Sequence, residues 1–285
     1  MKRIVALALA ALFALTVFSI PAFAAGEEIS IVYGGGTPLT SDPALNSASA
    51  GANIIRLGHA GLMGFRFVDG ESKLAPELAE SFTVSDDKLV YTFKLRDGLK
   101  WSDGEDFAPS QLAASWQRAS SEALGADYGF MFDVIKGYNE GALDVVADDT
   151  ANTFTITLNA PTPYFLELAA FPTFFPVRTE LTDDNGEWAI NPETNIGMGA
   201  FRMTKYAVDD VISFEKNPNY WDADSVSLEK VNCLLSEDNV AILATGTAPK
   251  KLYRIKRHPH AQHMNGGESY EKYSRKGNST KKVLS

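Results

Sequence analysis

Leu74-Ala75-Pro76-Glu77-Leu78-Ala79-Glu80-Ser81-Phe82-Thr83-Val84-Ser85-Asp86-Asp87, resumed at Tyr91-Thr92-Phe93-Lys94-Leu95-Arg96-Asp97-Gly98-Leu99-Lys100-Trp101-Ser102-Asp103-Gly104, is the stretch on which the fold turns. Leu74 to Ser81 reads as a short docking turn. Leu89 to Leu95 alternates apolar and polar residues and reads as a strand. Asp97-Gly98 is a turn, and Lys100 to Gly104 is a second strand end and turn. Ser110 to Ser120 then has helical periodicity, with Leu112, Ser115, Trp116 and Ala119 on one face.

Outward from this centre, Glu28 to Tyr33 reads as a strand and Gly34 to Pro38 as a glycine-rich turn or loop. No lysine follows those glycines, so a phosphate cradle is not supported. Ser41-Asp42-Pro43 has the composition of a helix cap, and Asn53 to Leu62 reads as helix. Phe154 to Leu158 alternates as a strand, and Tyr164 to Phe171 is apolar and read as helical. Arg202 to Tyr206 and Val211 to Glu215 form a hairpin pair, and Glu229 to Leu235 a further strand. Strands and helices mix without strict alternation, which predicts an α/β fold of mixed α+β character with a mixed sheet.

Composition narrows the function. The 285 residues are 45% hydrophobic and 22% charged, enough for about two domains with a substantial core. A formal net charge of -10 argues against a nucleic-acid partner, whose phosphates need clustered Lys and Arg. A lone cysteine, Cys233, excludes an internal disulfide and a cysteine-rich zinc site.

The N-terminus reads as an export signal over residues 1–24. Lys2 and Arg3 precede an apolar run from Ile4 to Ile20, Pro21 breaks it, and Ala22-Phe23-Ala24 supplies small residues for cleavage after Ala24 or Ala25. The alternative is an uncleaved anchor, against which the run is short. No cysteine follows for lipidation, so a soluble periplasmic protein is expected. At the other end the character changes near Ala244. Thr245 to Ser285 holds ten of the 26 basic residues and two of the 36 acidic ones, leaving 16 and 34 for the rest. This tail, 245–285, shows no hydrophobic periodicity and is expected to be disordered.

No catalytic signature is present: no G-x-S-x-G elbow, no H-E-x-x-H, no Walker loop and no serine–lysine set. His59, the one histidine outside the tail, reads as a packed or surface residue. Asp86-Asp87, Asp148-Asp149 and Asp183-Asp184 sit beside turn residues and read as turn formers rather than an acid/base pair. In the tail, His258, His260 and His263 could offer nitrogen ligands to zinc or nickel, but Pro259 blocks helical placement and no carboxylate or thiol accompanies them. No cofactor is expected. The many aromatic residues read as core, with a ligand cleft as the alternative.

The opening stretch continues to Ser115-Trp116-Gln117-Arg118, and together they resemble the signature of the extracellular solute-binding proteins of the oligopeptide and dipeptide class, family 5. Asn159-Ala160-Pro161-Thr162-Pro163-Tyr164-Phe165, Asn195-Ile196-Gly197-Met198-Gly199-Ala200-Phe201 and Asn217-Pro218-Asn219-Tyr220-Trp221-Asp222 are similar to further motifs of that family, in order, from about Ile29 to Leu243. Ala200 stands where the family often has proline. The resemblance implies a type II venus-flytrap binding protein without enzymatic activity, working as a monomer. It would capture a peptide in the periplasm for ABC-transporter permease subunits in the inner membrane. A carrier of nickel, heme or sugar on the same scaffold is the alternative. It also implies first-lobe segments at 25–65 and 175–244 and an inserted second domain at 66–174.

Family members are about twice this length. The third domain is therefore expected to be missing, with a frameshift or truncation near Ala244 and impaired binding as the consequence. By the same resemblance Thr37 and Leu39 would offer main chain to the ligand, and Tyr128 would stand on the second-domain wall. Trp101, Asp103, Gly104, Tyr220 and Trp221 would be structural.

Overall fold

A computed structural model describes residues 27–34, 36–183 and 186–236. Residues 1–24, read above as an export signal, and the basic tail with its three histidines lie outside the described residues.

Two four-stranded sheets organise these residues. The first joins β1 (Glu27–Gly34), β10 (Leu228–Ser236), β9 (Val211–Lys216) and β8 (Phe201–Ala207), in that spatial order. β1 and β10 run parallel, from Glu28 opposite Lys230 to Gly34 opposite Ser236, and the other pairs are antiparallel. Helix α1 (Ser49–Gly58) packs on β8, burying Ile54 against Phe201, Met203, Ile212, Phe214 and Val231. The second sheet is wholly antiparallel. It is ordered β4 (Ala79–Val84), β5 (Val90–Leu95), β7 (Thr153–Thr157), β6 (Val145–Asp148). A separate hairpin pairs β2 (Met63–Val68) with β3 (Glu71–Pro76).

Helix α2 (Pro109–Ser120) lies over the second core. Pro109 opens it, and the Gln111 side chain accepts from the Ala108 N–H at 3.0 Å and from the Trp101 indole at 3.1 Å. Leu112, Ser115, Trp116 and Ala119 are buried, the face that the periodicity selects. Trp116 meets Phe132, Phe154 and Phe174 edge-on, with ring centroids 5.7, 5.0 and 5.2 Å away, and its indole donates to the Phe174 carbonyl at 2.8 Å. Strand β5 buries Tyr91, Phe93 and Leu95 on alternate positions, as its sequence demands.

Four local expectations are corrected. Leu74 to Ser81 is the end of β3 and the start of β4, joined at Glu77-Leu78, not a docking turn. The Glu77 and Leu78 amides reach back to the carbonyls of Leu62 and Gly61 at 2.9 and 3.1 Å, and these long-range bonds carry no local signal. Helix α1 starts earlier than Asn53 and stops at Gly58, because Gly199 N–H takes the Gly58 carbonyl at 2.9 Å and His59 is extended. Ser41-Asp42-Pro43 caps no helix; the Asp42 carboxylate turns onto the Ala44 amide, 2.9 Å away, and onto Arg118. Within Tyr164 to Phe171 only α3 (Phe165–Leu168) is α-helical, and Pro172 opens a 3₁₀ turn soon after.

Candidate functional site

The loop between β1 and α1 is held at three places. Thr37 Oγ1 and Asp209 form a reciprocal pair: the hydroxyl donates to Oδ1 at 2.8 Å and accepts from the Asp209 amide at 2.7 Å. Asp209 sits in the β8–β9 turn with φ of 55°, a conformation that turn residues such as Asp tolerate. Tyr206 in β8 donates its hydroxyl to the Pro38 carbonyl at 3.1 Å. Beyond Thr40, the fully buried Asp42 accepts both guanidinium nitrogens of Arg118 in α2, at 2.7 and 3.3 Å. A bidentate pair fixes orientation as well as distance.

Between these ties the Leu39 side chain points outward, while Pro38 and Ser41 to Ala44 are buried. Leu39 is 99% exposed. Among the described residues, the backbone N–H and C=O groups of Thr37 and Leu39 take part in no protein hydrogen bond. Free donors and acceptors on a tethered loop are what an extended chain needs to add alongside it.

Tyr128 lies elsewhere. Its ring packs edge-on against Phe171 at 5.3 Å and near Phe130 at 6.3 Å, on the border of the second core. No hydrogen bond or ring contact among the described residues joins it to Thr37 or Leu39. Phe130, its neighbour, is more than half exposed.

The two longest sequence motifs converge on Glu77, which sequence reading did not single out. Its carboxylate accepts from Tyr220 at 2.5 Å, the Trp221 indole at 3.0 Å and Arg66 at 3.0 Å, while its carbonyl accepts from Arg96 at 2.7 Å. Arg66 also reaches Asp222 at 3.2 Å, and Arg96 stacks 3.5 Å over the Trp221 ring. Burial and the adjacent Glu77 carboxylate raise the Tyr220 hydroxyl far above its ordinary pKa, so it stays a donor. Near this hub, Ser102 accepts from Gly197 and donates to its carbonyl, Asn219 donates to the Ser102 carbonyl, and Arg178 reaches Asp103 at 2.8 Å. Trp101, Asp103, Tyr220 and Trp221 thus lock separate chain segments together. A groove of about 290 Å³ runs beside the hub, lined by Arg56, His59, Phe65, Arg66 and Tyr220 among others, and none of Thr37, Leu39 and Tyr128 lines it.

The family described as "Bacterial extracellular solute-binding proteins, family 5 Middle" matches residues 73–248. The chain belongs to this family. It is a family of solute carriers, not enzymes. Among curated relatives, Bacillus subtilis dipeptide-binding protein DppE is 35% identical over 171 residues, covering 57% of this chain and 31% of the relative. Bacillus subtilis oligopeptide-binding protein OppA is 33% identical over 210 residues, covering 71% of this chain and 38% of the relative. Among solved structures, Listeria monocytogenes OppA bound to peptide superposes with a TM-score of 0.70 at 29% identity, over 79% of this chain and 46% of that one. This solute-binding chain therefore spans less than half the length of the relatives it matches, and its mixed α/β fold corresponds to that portion of them. No helix among the described residues is long and apolar enough to cross a membrane.

Proposed function

We propose that this chain provides one wall of the peptide cleft of a periplasmic binding protein that serves an ABC importer. The observation that carries the reading is its likeness, over 79% of its length, to a structure holding a peptide. The tethered loop, whose main chain at Thr37 and Leu39 has no partner among the described residues, supports it, because an extended peptide binds by adding as a strand. Tyr128 and the exposed Phe130 supply an aromatic surface on the second sheet's side. In this reading residues 25–65 and 175–244 belong to the first lobe and 66–174 to the inserted domain, the leader directs export, and permease subunits in the inner membrane receive the peptide.

A cleft has two walls, and affinity depends on burying the ligand between them. Residues 25–236 by themselves, offering one wall, are expected to bind peptides too weakly to measure. Calorimetry with a panel of di- to pentapeptides tests this, and micromolar binding by the chain alone would refute the one-wall reading. The complementary experiment joins residues 25–236 to the remaining length of Bacillus subtilis OppA. A folded chimera, verified by a cooperative melt, is expected to bind peptides. A folded chimera that ignores peptides but takes nickel, heme or a sugar would overturn the peptide assignment.

A further inference from the structure

The loop that carries Thr37 and Leu39 takes its shape from outside itself. It bends at Thr37 and again at Leu39, yet among the described residues no backbone–backbone hydrogen bond involves residues 37–41. One local contact is present, from the Asp42 amide to the Thr40 hydroxyl at 3.0 Å. The remaining ties come from far along the chain. Tyr206 in β8 holds the Pro38 carbonyl across 168 residues, and Asp209 exchanges two bonds with Thr37 across 172. The Asp42–Arg118 ion pair fixes the loop's other end to α2. A segment without internal backbone bonds holds one conformation only through what grips it, because each ordered residue loses backbone entropy.

Asp209 is the tether whose residue type is most telling. Its φ of 55° lies in the left-handed region, where glycine would sit without strain. Aspartate gives up that ease and supplies the acceptor for the Thr37 hydroxyl at 2.8 Å, while its amide donates back at 2.7 Å. Two bonds between the same two residues fix the Thr37 rotamer as well as its distance. The neighbouring Asp210 carboxylate has a different partner, Lys205, at 3.2 Å. The turn between β8 and β9 thus holds two aspartates with separate tasks. Burial raises the Tyr206 hydroxyl above its ordinary pKa, so it remains a donor to Pro38. The Thr37–Asp209 pair is exposed, so water competes with it and its share of global stability is small. Its effect is local, on the main chain beside Leu39.

We infer that Asp209 is a positioning residue for ligand binding: acting through Thr37, it sets the curve of main chain from Thr37 to Leu39 that the peptide meets. The inference rests on the peptide-cleft reading above. Tyr206 acts alongside it on Pro38. A turn borne on the first sheet thereby gives the loop a geometry that its own backbone does not supply. Removing the tether leaves that geometry to be ordered when the ligand arrives, and such ordering weakens binding.

The test uses substitutions that separate contact from fold. Asp209→Gly removes the carboxylate and keeps the positive φ, Asp209→Asn keeps both an acceptor and that conformation, and Thr37→Val removes the hydroxyl at nearly constant shape. Asp210→Asn is the control for charge. In the ¹⁵N-labelled full chain, the order parameters of the Leu39 and Thr40 amides are expected near about 0.85 in the wild type, Asp209→Asn and Asp210→Asn, and below about 0.6 in Asp209→Gly and Thr37→Val. Melting should stay cooperative throughout. The double variant Thr37→Val with Asp209→Gly should match Thr37→Val alone, since one contact is lost in both. In the chimera with a completed cleft, peptide dissociation constants should rise about two- to tenfold in Asp209→Gly and Thr37→Val and return to the wild-type value in Asp209→Asn. Unchanged loop order in Asp209→Gly would overturn the inference, as would a chimera whose peptide affinity ignores both losses. A folded wild-type chimera that binds no peptide would instead refute the cleft reading, and the order parameters would still decide whether Asp209 shapes the loop.

Discussion

His59 makes stability depend on pH in a way that one substitution isolates. The ring is buried, and burial is the largest influence on it; it outweighs the Asp42 charge and nearby Asn195 and lowers the pKa from 6.5 to about 4. The unfolded chain therefore binds a proton more readily than the folded one as the solution is acidified. His59 costs nothing above pH 6.5, and its penalty grows as pH falls from 6.5 towards 4. At pH 4.5 the two titrations place that penalty at about 2 kcal/mol relative to pH 7. The perturbation is His59→Gln, similar in size, polar and without a titration. Urea unfolding of both proteins at pH 7 and pH 4.5 gives four free energies, and carboxylates common to both chains cancel in the difference. The wild type is expected to lose about 2 kcal/mol more than the variant on acidification. Parallel losses would refute the reasoning, as would an NMR titration in which the wild-type His59 ring protonates near pH 6.5.

Further predictions test the core, a close contact and the exposed loop. Trp116→Ala removes the ring that Phe132, Phe154 and Phe174 surround, together with its bond to the Phe174 carbonyl, and should cost about 3–5 kcal/mol in urea unfolding; a loss under 1 kcal/mol would contradict the packing. Gly199→Ala places a methyl 2.6 Å from the Gly58 carbonyl carbon, the His59 nitrogen and the Leu57 carbonyl oxygen, backbone atoms that cannot move cheaply. It should destabilise by about 1–3 kcal/mol, and an unchanged melting temperature would show that the α1 terminus is not held against residue 199. Leu39→Asp should leave stability within about 0.5 kcal/mol, because the side chain is 99% exposed. In the chimera with a completed cleft Leu39→Pro, which removes the main-chain N–H, should weaken peptide binding, and unaltered affinity would remove that N–H from the site.

Strands β5, β7, β8, β9 and β10 and helix α2 were legible because each alternates or repeats on the period of its own structure. Trp116 fell on the buried face by periodicity alone. Strands β2, β3 and β4 were not legible. Their burial alternates weakly, and the joint at Glu77-Leu78 is fixed by the carbonyls of Gly61 and Leu62 rather than by its own residues. The early end of α1 escaped for the same reason, since the group that terminates it is Gly199.

The sequence by itself determined the family, through ordered motifs from Leu74 to Asp222, and with it the mixed α/β architecture and a carrier rather than a catalyst. Only the tertiary structure decided what the motif residues do. Glu77 draws Tyr220, Trp221 and Arg66 onto one carboxylate across more than 140 residues of chain in the longest case, and no local pattern announces such a meeting. It also decided that Asp42 is not a helix cap but the buried partner of Arg118, and that Thr37 spends its side chain on Asp209 while its main chain meets no partner among the described residues. Periodicity records the environment of one segment against its nearest layer. A polar hub or an anchored loop depends on which distant groups arrive opposite each other, and that is fixed only when the segments pack.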